Sequence, residues 1–226
     1  MRTRTTVIGT IILTLVIAGV SFAEESAWKQ TINRASDLYR QGKKTEALSE
    51  AYAALAFARK TYGGNSINAV KSLELAAELN QAQGNYGEAG RLLNAALTIQ
   101  EKTIGLSAPR LVKTICSLAK VHADQNSLFE ARALYLKALA LCEEQGRGNT
   151  PTALAPMMGL AKLQRSCGKD ADCRRSCERM LGICHAYKKY QPPLALHISE
   201  AESMLAEISK AGKPVAKKGM TDPANL

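Results

Sequence analysis

Six cysteines carry the most reactive side-chain chemistry in this chain, and they are unevenly placed. Cys116 and Cys142 stand alone, whereas Cys167, Cys173, Cys177 and Cys184 crowd one stretch that runs into His185. Thiols and an imidazole at short range suggest three chemistries: a disulfide, a zinc site or covalent haem attachment. Haem attachment needs Cys-x-x-Cys-His, and Leu181-Gly182-Ile183-Cys184-His185 lacks the first cysteine. Structural zinc takes four ligands in recurrent pairings, and these spacings match none of the common ones. No metal and no other cofactor is therefore expected. A bridge remains: if one helix ends at Cys167 and the next begins at Cys173, the short turn between them brings those two within reach. Cys167–Cys177 is the nearest competitor. Cys173–Cys177, one turn apart on a single helix, lies near the upper Cα separation for a disulfide. Cys116, Cys142 and Cys184 read as small buried apolar residues.

Catalytic constellations do not emerge. His122, His185 and His197 fall in no nucleophile-elbow, zincin or phosphate-loop context. Glu46, Glu88 and Glu130 recur at a fixed interval rather than converging, which suits an acidic first turn of a helix. The chain reads as non-catalytic.

The interval between those glutamates leads to the elements that position everything else. Gln41-Gly42-Lys43-Lys44-Thr45-Glu46-Ala47 recurs 42 residues later as Gln83-Gly84-Asn85-Tyr86-Gly87-Glu88-Ala89. It returns as Gln125-Asn126-Ser127-Leu128-Phe129-Glu130-Ala131 and, weakly, as Cys167-Gly168-Lys169-Asp170-Ala171-Asp172-Cys173. Fixed self-similarity of this length means stacked supersecondary units, each burying its apolar face on the next. In that register Ala35, Ala77, Ala119 and Ala161 share a column, as do Leu55, Leu97, Leu139 and Leu181. Ala54, Ala96, Ala138 and Met180 precede those leucines, and Phe57, Ile99, Leu141 and Ile183 follow them. Small residues let paired helices approach closely while leucines fill the grooves between pairs. Gly42, Gly84 and Gly168 stand where a first helix must stop, with Asn126, the next most tolerant of left-handed backbone, in the third copy. Ser107 with Pro109 and Thr150 with Pro151 supply N-cap and first-turn signals. Gly63-Gly64, Gly105, and Gly146 with Gly148 interrupt the chain between units. The pattern predicts helices near 26–41, 44–62, 66–83, 86–104, 108–125, 128–145, 150–167 and 170–189, with a ninth at 193–211 covering the open end.

The turn glycine, the Glu-Ala that follows it and the Ala-Leu seven residues on resemble the tetratricopeptide repeat. Its usual period is about 34 residues. The longer period, and Glu101-Lys102-Thr103-Ile104-Gly105-Leu106-Ser107-Ala108-Pro109, resemble the kinesin-light-chain type of that repeat. The resemblance implies an all-α fold. It would be a right-handed superhelical solenoid of about four antiparallel helix-turn-helix repeats, near 27–68, 69–110, 111–152 and 153–194, plus the C-terminal capping helix. It also implies that the first helices line a concave groove that binds a protein or peptide. The groove columns would then be Lys29, Lys71 and Lys113; Ser36, Glu78, Lys120 and Lys162; and Tyr39, Gln81, Ala123 and Arg165. Such a groove is basic towards its C-terminal half and suits an acidic peptide or a free carboxylate. Relatives often hold the ligand backbone with a first-helix asparagine. Asn33 matches that position, but Leu75, Ser117 and Gly159 occupy it in the other repeats.

The ends and the charge place the array in a cell. Arg2, Arg4, an apolar run from Val7 to Val20 and Ser21-Phe22-Ala23 have the form of a secretory signal over 1–23. The run is short of the roughly twenty apolar residues a membrane span needs, so cleavage rather than a retained anchor is expected. Array 24–211 would then be exported, periplasmic or secreted, where disulfides persist. Residues 212–226, with Pro214, Lys217, Lys218, Gly219 and Pro223, read as a disordered basic tail. A net charge of +10 suits acidic protein partners, anionic membrane surfaces or wall polymers. No nucleic-acid motif is visible. The expected function is a protein-binding scaffold in the cell envelope. The alternative is an envelope assembly factor docking on anionic polymer or lipid, and a redox protein using the fourth-repeat cysteines ranks below both. Oligomeric state is left open by the sequence.

Overall fold

A computed structural model describes residues 24–104, 109–187 and 194–211, apart from the side chains at 104, 109 and 211. The expected signal at 1–23, the tail at 212–226, and the Gly105 and Ser107 punctuation lie outside those residues. Among the described residues every regular element is helical. Helix α1 runs over 24–40, followed by α2 (Lys44–Tyr62), α3 (Ile67–Ala82), α4 (Tyr86–Ile104), α5 (Pro109–Asp124) and α6 (Leu128–Glu144). A 3-10 turn at Pro151–Ala153 leads into α7 (Leu154–Ser166), then α8 (Asp170–Tyr187) and α9 (Ala195–Ala211).

The recurrent turn explains the recurrent sequence. Gly42, Gly84 and Gly168 have φ of 79°, 79° and 70°, and Asn126 has φ of 62°. Each puts the same two hydrogen bonds onto the helix it ends. Gly42 N–H donates to the Tyr39 carbonyl at 2.9 Å and Lys43 N–H to Leu38 at 3.0 Å. Gly84 and Asn85, Asn126 and Ser127, and Gly168 and Lys169 repeat that pair of bonds. This is the paired C-cap that satisfies the last free carbonyls of a helix. The residue after the turn then offers its carbonyl to the next helix, and the amide that answers belongs to Ala47, Ala89, Ala131 or Cys173. All four of those side chains are fully buried.

One helix start departs from expectation. Thr150 does not cap: its hydroxyl donates to the Arg147 carbonyl at 2.8 Å. The chain passes through the 3-10 turn first, and α7 begins at Leu154 rather than at Thr150. Ser66, by contrast, caps α3 by accepting from the Ala69 amide at 3.1 Å.

The chain forms two compact units divided within α6, residues up to Ala138 and residues from Leu139. In the first, α2 packs on α3, α3 on α4, and α4 on α5. Its core runs from Trp28 through Ala35, Ala54, Leu73, Ala77 and Leu79 to Ala96, Leu118 and Val121. The small-residue columns are buried as the register requires, including Ala35, Ala77, Ala119 and Ala54, Ala96, Ala138. In the second unit α7 packs on α8 and α8 on α9. Its buried set is rich in sulfur: Met157, Met158, Cys173, Cys177, Met180 and Cys184. No helix among the described residues is long and apolar enough to cross a membrane.

Candidate binding face of the first helices

Hydrogen bonds between successive first helices build the candidate face in the first unit. Trp28 Nε1 donates to Ser72 Oγ at 3.0 Å, tying α1 to α3. Thr114 Oγ1 donates to Glu74 Oε1 at 2.6 Å, and Gln81 Nε2 donates to Asp124 Oδ2 at 2.6 Å, tying α3 to α5 at both ends. The bonded residues are 44, 40 and 43 apart, each within two of the repeat length, so the bonds register neighbouring hairpins.

The sequence-predicted residues of this unit sit on that surface. Lys29, Lys71 and Lys113 are all exposed. Lys29 pairs with Glu25 on its own helix at 2.6 Å, and that ammonium holds the Glu25 carboxyl below its usual range. Lys71 stands over the Trp28 ring, 5.6 Å from its centroid, a cation–π contact that aligns the long side chain. Lys113 and Lys120 have no ion pair among the described residues. Glu78, Asn33 and Tyr39 are exposed, and Asn33 borders a depression with Lys29, Glu25, Ser26 and Gln30. Gln81 is spent on Asp124.

In the second unit the two expected groove cations are engaged internally. Lys162 pairs with Glu200 of α9 at 3.2 Å, and Arg165 with Asp170 across the α7–α8 turn at 2.8 Å. Arg165 and Lys162 thus stitch helices together here.

All six cysteines are unbridged in this structure. The expected Cys167–Cys173 disulfide is absent, for a geometric reason. Cys167 is exposed at the cap of α7, while Cys173 turns into the core in the place held by Ala47, Ala89 and Ala131. Its thiol neighbour, one turn along α8, is Cys177. Burial, then the neighbouring Cys173, pushes Cys177 up to about 12, and burial raises Cys142, Cys173 and Cys184 as well. Thiols so protonated are poor nucleophiles and poor metal ligands.

Sequence reasoning missed a polar cluster beneath the lysine column. Gln100 near the end of α4 is 1% exposed and donates through Nε2 to Glu74 Oε1 at 3.3 Å, while its own Oε1 has no partner. The register held a signal. Gln100 occupies the column of Ala58, Cys142 and Cys184, and Glu74 that of Ile32, Cys116 and Met158. Two polar residues replace apolar ones at one junction.

A tetratricopeptide-repeat family model matches residues 25–102, and a second tetratricopeptide-repeat model matches residues 111–144. No curated protein matches the sequence. Among solved structures, the chain resembles a repeat protein of kinesin-light-chain type from Podosopora anserina, with nearly identical TPR-like repeats. The TM-score is 0.62 at 21% identity, over 81% of this chain and 85% of that one. A single-substitution form of that protein gives the same values. BtubC (BKLC) from P. vanneervenii is similar with a TM-score of 0.60 at 15% identity, over 88% of this chain and 87% of that one. At these identities the likeness is one of fold. Residues 25–102 and 111–144 of this chain are tetratricopeptide repeats.

Proposed function

We propose that this chain is a non-catalytic scaffold of the cell envelope that holds an acidic protein or peptide segment on the exposed face of α3 and α5. Tetratricopeptide repeats support protein–protein interaction as the general class. The observation that carries the finer reading is that Lys71, Lys113 and Lys120 are exposed together on first helices already locked side by side. A ligand meeting them finds cations whose backbones are fixed, so little ordering entropy is lost beyond that of the lysine side chains. The likeness to kinesin-light-chain-type structures supports this as a fold that presents such a face.

The test is recovery of envelope proteins by the chain and by its Lys71→Glu, Lys113→Glu, Lys120→Glu variant, at about 50 and 200 mM salt. Partner recovery that survives the higher salt and is lost in the variant is the expected result. Unchanged recovery by the variant overturns the proposal. Binding that collapses with salt for both proteins would point instead to docking on anionic polymer or lipid, a reading the charge of +10 favours.

A further inference from the structure

The outer face of α6 is unlike its counterparts. Phe129 is 79% exposed and Leu136 42%, and Ala133 and Ala140 are exposed with them. These four residues follow one another at spacings of four, three and four, so they form one stripe along a continuous helix. The register makes the contrast plain. On α4 the same positions hold Gly87, Arg91, Asn94 and Thr98, and on α8 Arg175 and Glu178 replace Ala133 and Leu136. On α2 the one large side chain is Tyr52, whose hydroxyl donates to Glu88 and accepts from Asn80. Only α6 sets a phenylalanine and a leucine side by side in water, and aligned apolar side chains on a surface mark an interaction site.

The stripe is complementary to itself. Laid against a second α6 running antiparallel, with the two-fold axis level with the Leu134–Tyr135 bond, Phe129 meets Ala140 of the second copy and Ala133 meets its Leu136. Each contact sets a large side chain on a small one, the way helix surfaces interdigitate. The flanking charges agree with that orientation. Glu130 and Lys137 are exposed and have no ion pair among the described residues. They stand seven residues apart, outside the spacing of three or four at which helix side chains pair, and no opposite charge occupies those spacings from either. In the antiparallel pair each Glu130 comes beside Lys137 of the second copy, twice over by symmetry. A parallel pair would instead set Arg132 against Lys137, like charge on like, and stack Phe129 on its own copy.

We propose that the outer face of α6 is a homodimer contact, across which a second copy of this chain packs antiparallel through the same face. The partner face lies on α3 and α5, so the contact does not rest on it. A stripe about 16 Å long is smaller than a permanent interface. The dimer is therefore weak, with a dissociation constant on the order of 50 µM.

Sedimentation equilibrium of the full chain from about 5 to 500 µM at low salt tests it. The parent should dimerise, and Phe129→Glu should weaken the dimer at least tenfold with helical circular dichroism unchanged. Glu130→Lys and Lys137→Glu should each weaken it at least threefold. An equimolar mixture of those two variants should restore it, since each then offers the charge the other lacks. The Lys71→Glu, Lys113→Glu, Lys120→Glu variant should dimerise like the parent, which separates this contact from partner binding. A parent that stays monomeric throughout overturns the proposal, and Phe129-dependent binding of that monomer to phosphatidylserine vesicles would assign the stripe to a membrane surface. Full dimerisation of Phe129→Glu would overturn it by placing the contact elsewhere. A mixture no tighter than either charge variant alone would overturn the antiparallel pairing.

Discussion

Asn126 shows what one backbone angle is worth in this protein. It holds φ of 62° where the other repeats place glycine, and its turn makes the same two hydrogen bonds. Left-handed backbone strains any residue with a Cβ, least so asparagine. Asn126→Gly should therefore raise stability, by about 0.5 kcal/mol, and Gly84→Ala should lower it by about 1 kcal/mol. A Cβ added at Gly84 meets nothing within 4 Å, so that cost is conformational and not steric. Urea midpoints of the two variants against the parent read both effects. The thiols give a second residue-scale prediction. Cys177 keeps its proton in the folded chain up to about 12 against the usual 9.0. A group raised above its unfolded value contributes stability that is complete below that value and is lost as the pH climbs through the folded one. Stability should thus hold to about pH 9 and fall between there and about pH 12. Cys177→Ala should make that fall shallower, which assigns the change to this thiol. At Cys173 two signals in the sequence conflict. Its column, Ala47, Ala89 and Ala131, implies burial, while turn length alone implies a bridge to Cys167.

At the scale of the helix, the alanine columns set how near neighbouring hairpins approach. Ala119 is fully buried on α5, in the column of Ala35 and Ala77. Ala119→Leu forces extra methylenes into close-packed surroundings and should cost about 1–3 kcal/mol, read as a lowered denaturation midpoint with helicity retained. A serine at the same position adds little volume and should cost less, which marks steric crowding as the cause. Most helix bounds are legible in the sequence within a residue or two, and the physical reason is local. A left-handed turn residue is almost confined to glycine and asparagine, so the end of each first helix is written in its own sequence. The start of α7 is not legible, because Thr150 satisfies Arg147 instead of the helix and only the folded loop decides between those partners. The polar cluster of Glu74, Gln100 and Thr114 escapes for a related reason. Periodicity reveals the columns that agree, whereas Glu74 and Gln100 carry their information by disagreeing. The register puts Lys162 and Arg165 in a groove because it puts their helix there, yet their partners Glu200 and Asp170 come from the following elements.

For the molecule as a whole, a stack of repeats raises the question of how its last face is covered. In the second unit that work falls to α9, which packs on α8 and buries Ala201 and Ile208. Glu207 lies close enough for its charge to act on Cys173, and Glu200 reaches Lys162 of α7. Among the described residues α9 packs chiefly on α8, and repeat arrays derive their stability from such nearest-neighbour contacts. Ile208→Ala should therefore cost about 2 kcal/mol, at the low end for a buried isoleucine because the outer side can relax. Ending the chain before Ala195 should do more, leaving the sulfur-rich face of α8 partly uncovered. Native-state hydrogen exchange gives the test, since it resolves local from global opening. Protection should fall across α7 and α8 in the shortened chain and stay unchanged across α2 and α3, whose neighbours are intact. Equal loss in all four helices would mean that the two units unfold as one, and α9 would then act on the stability of the entire array.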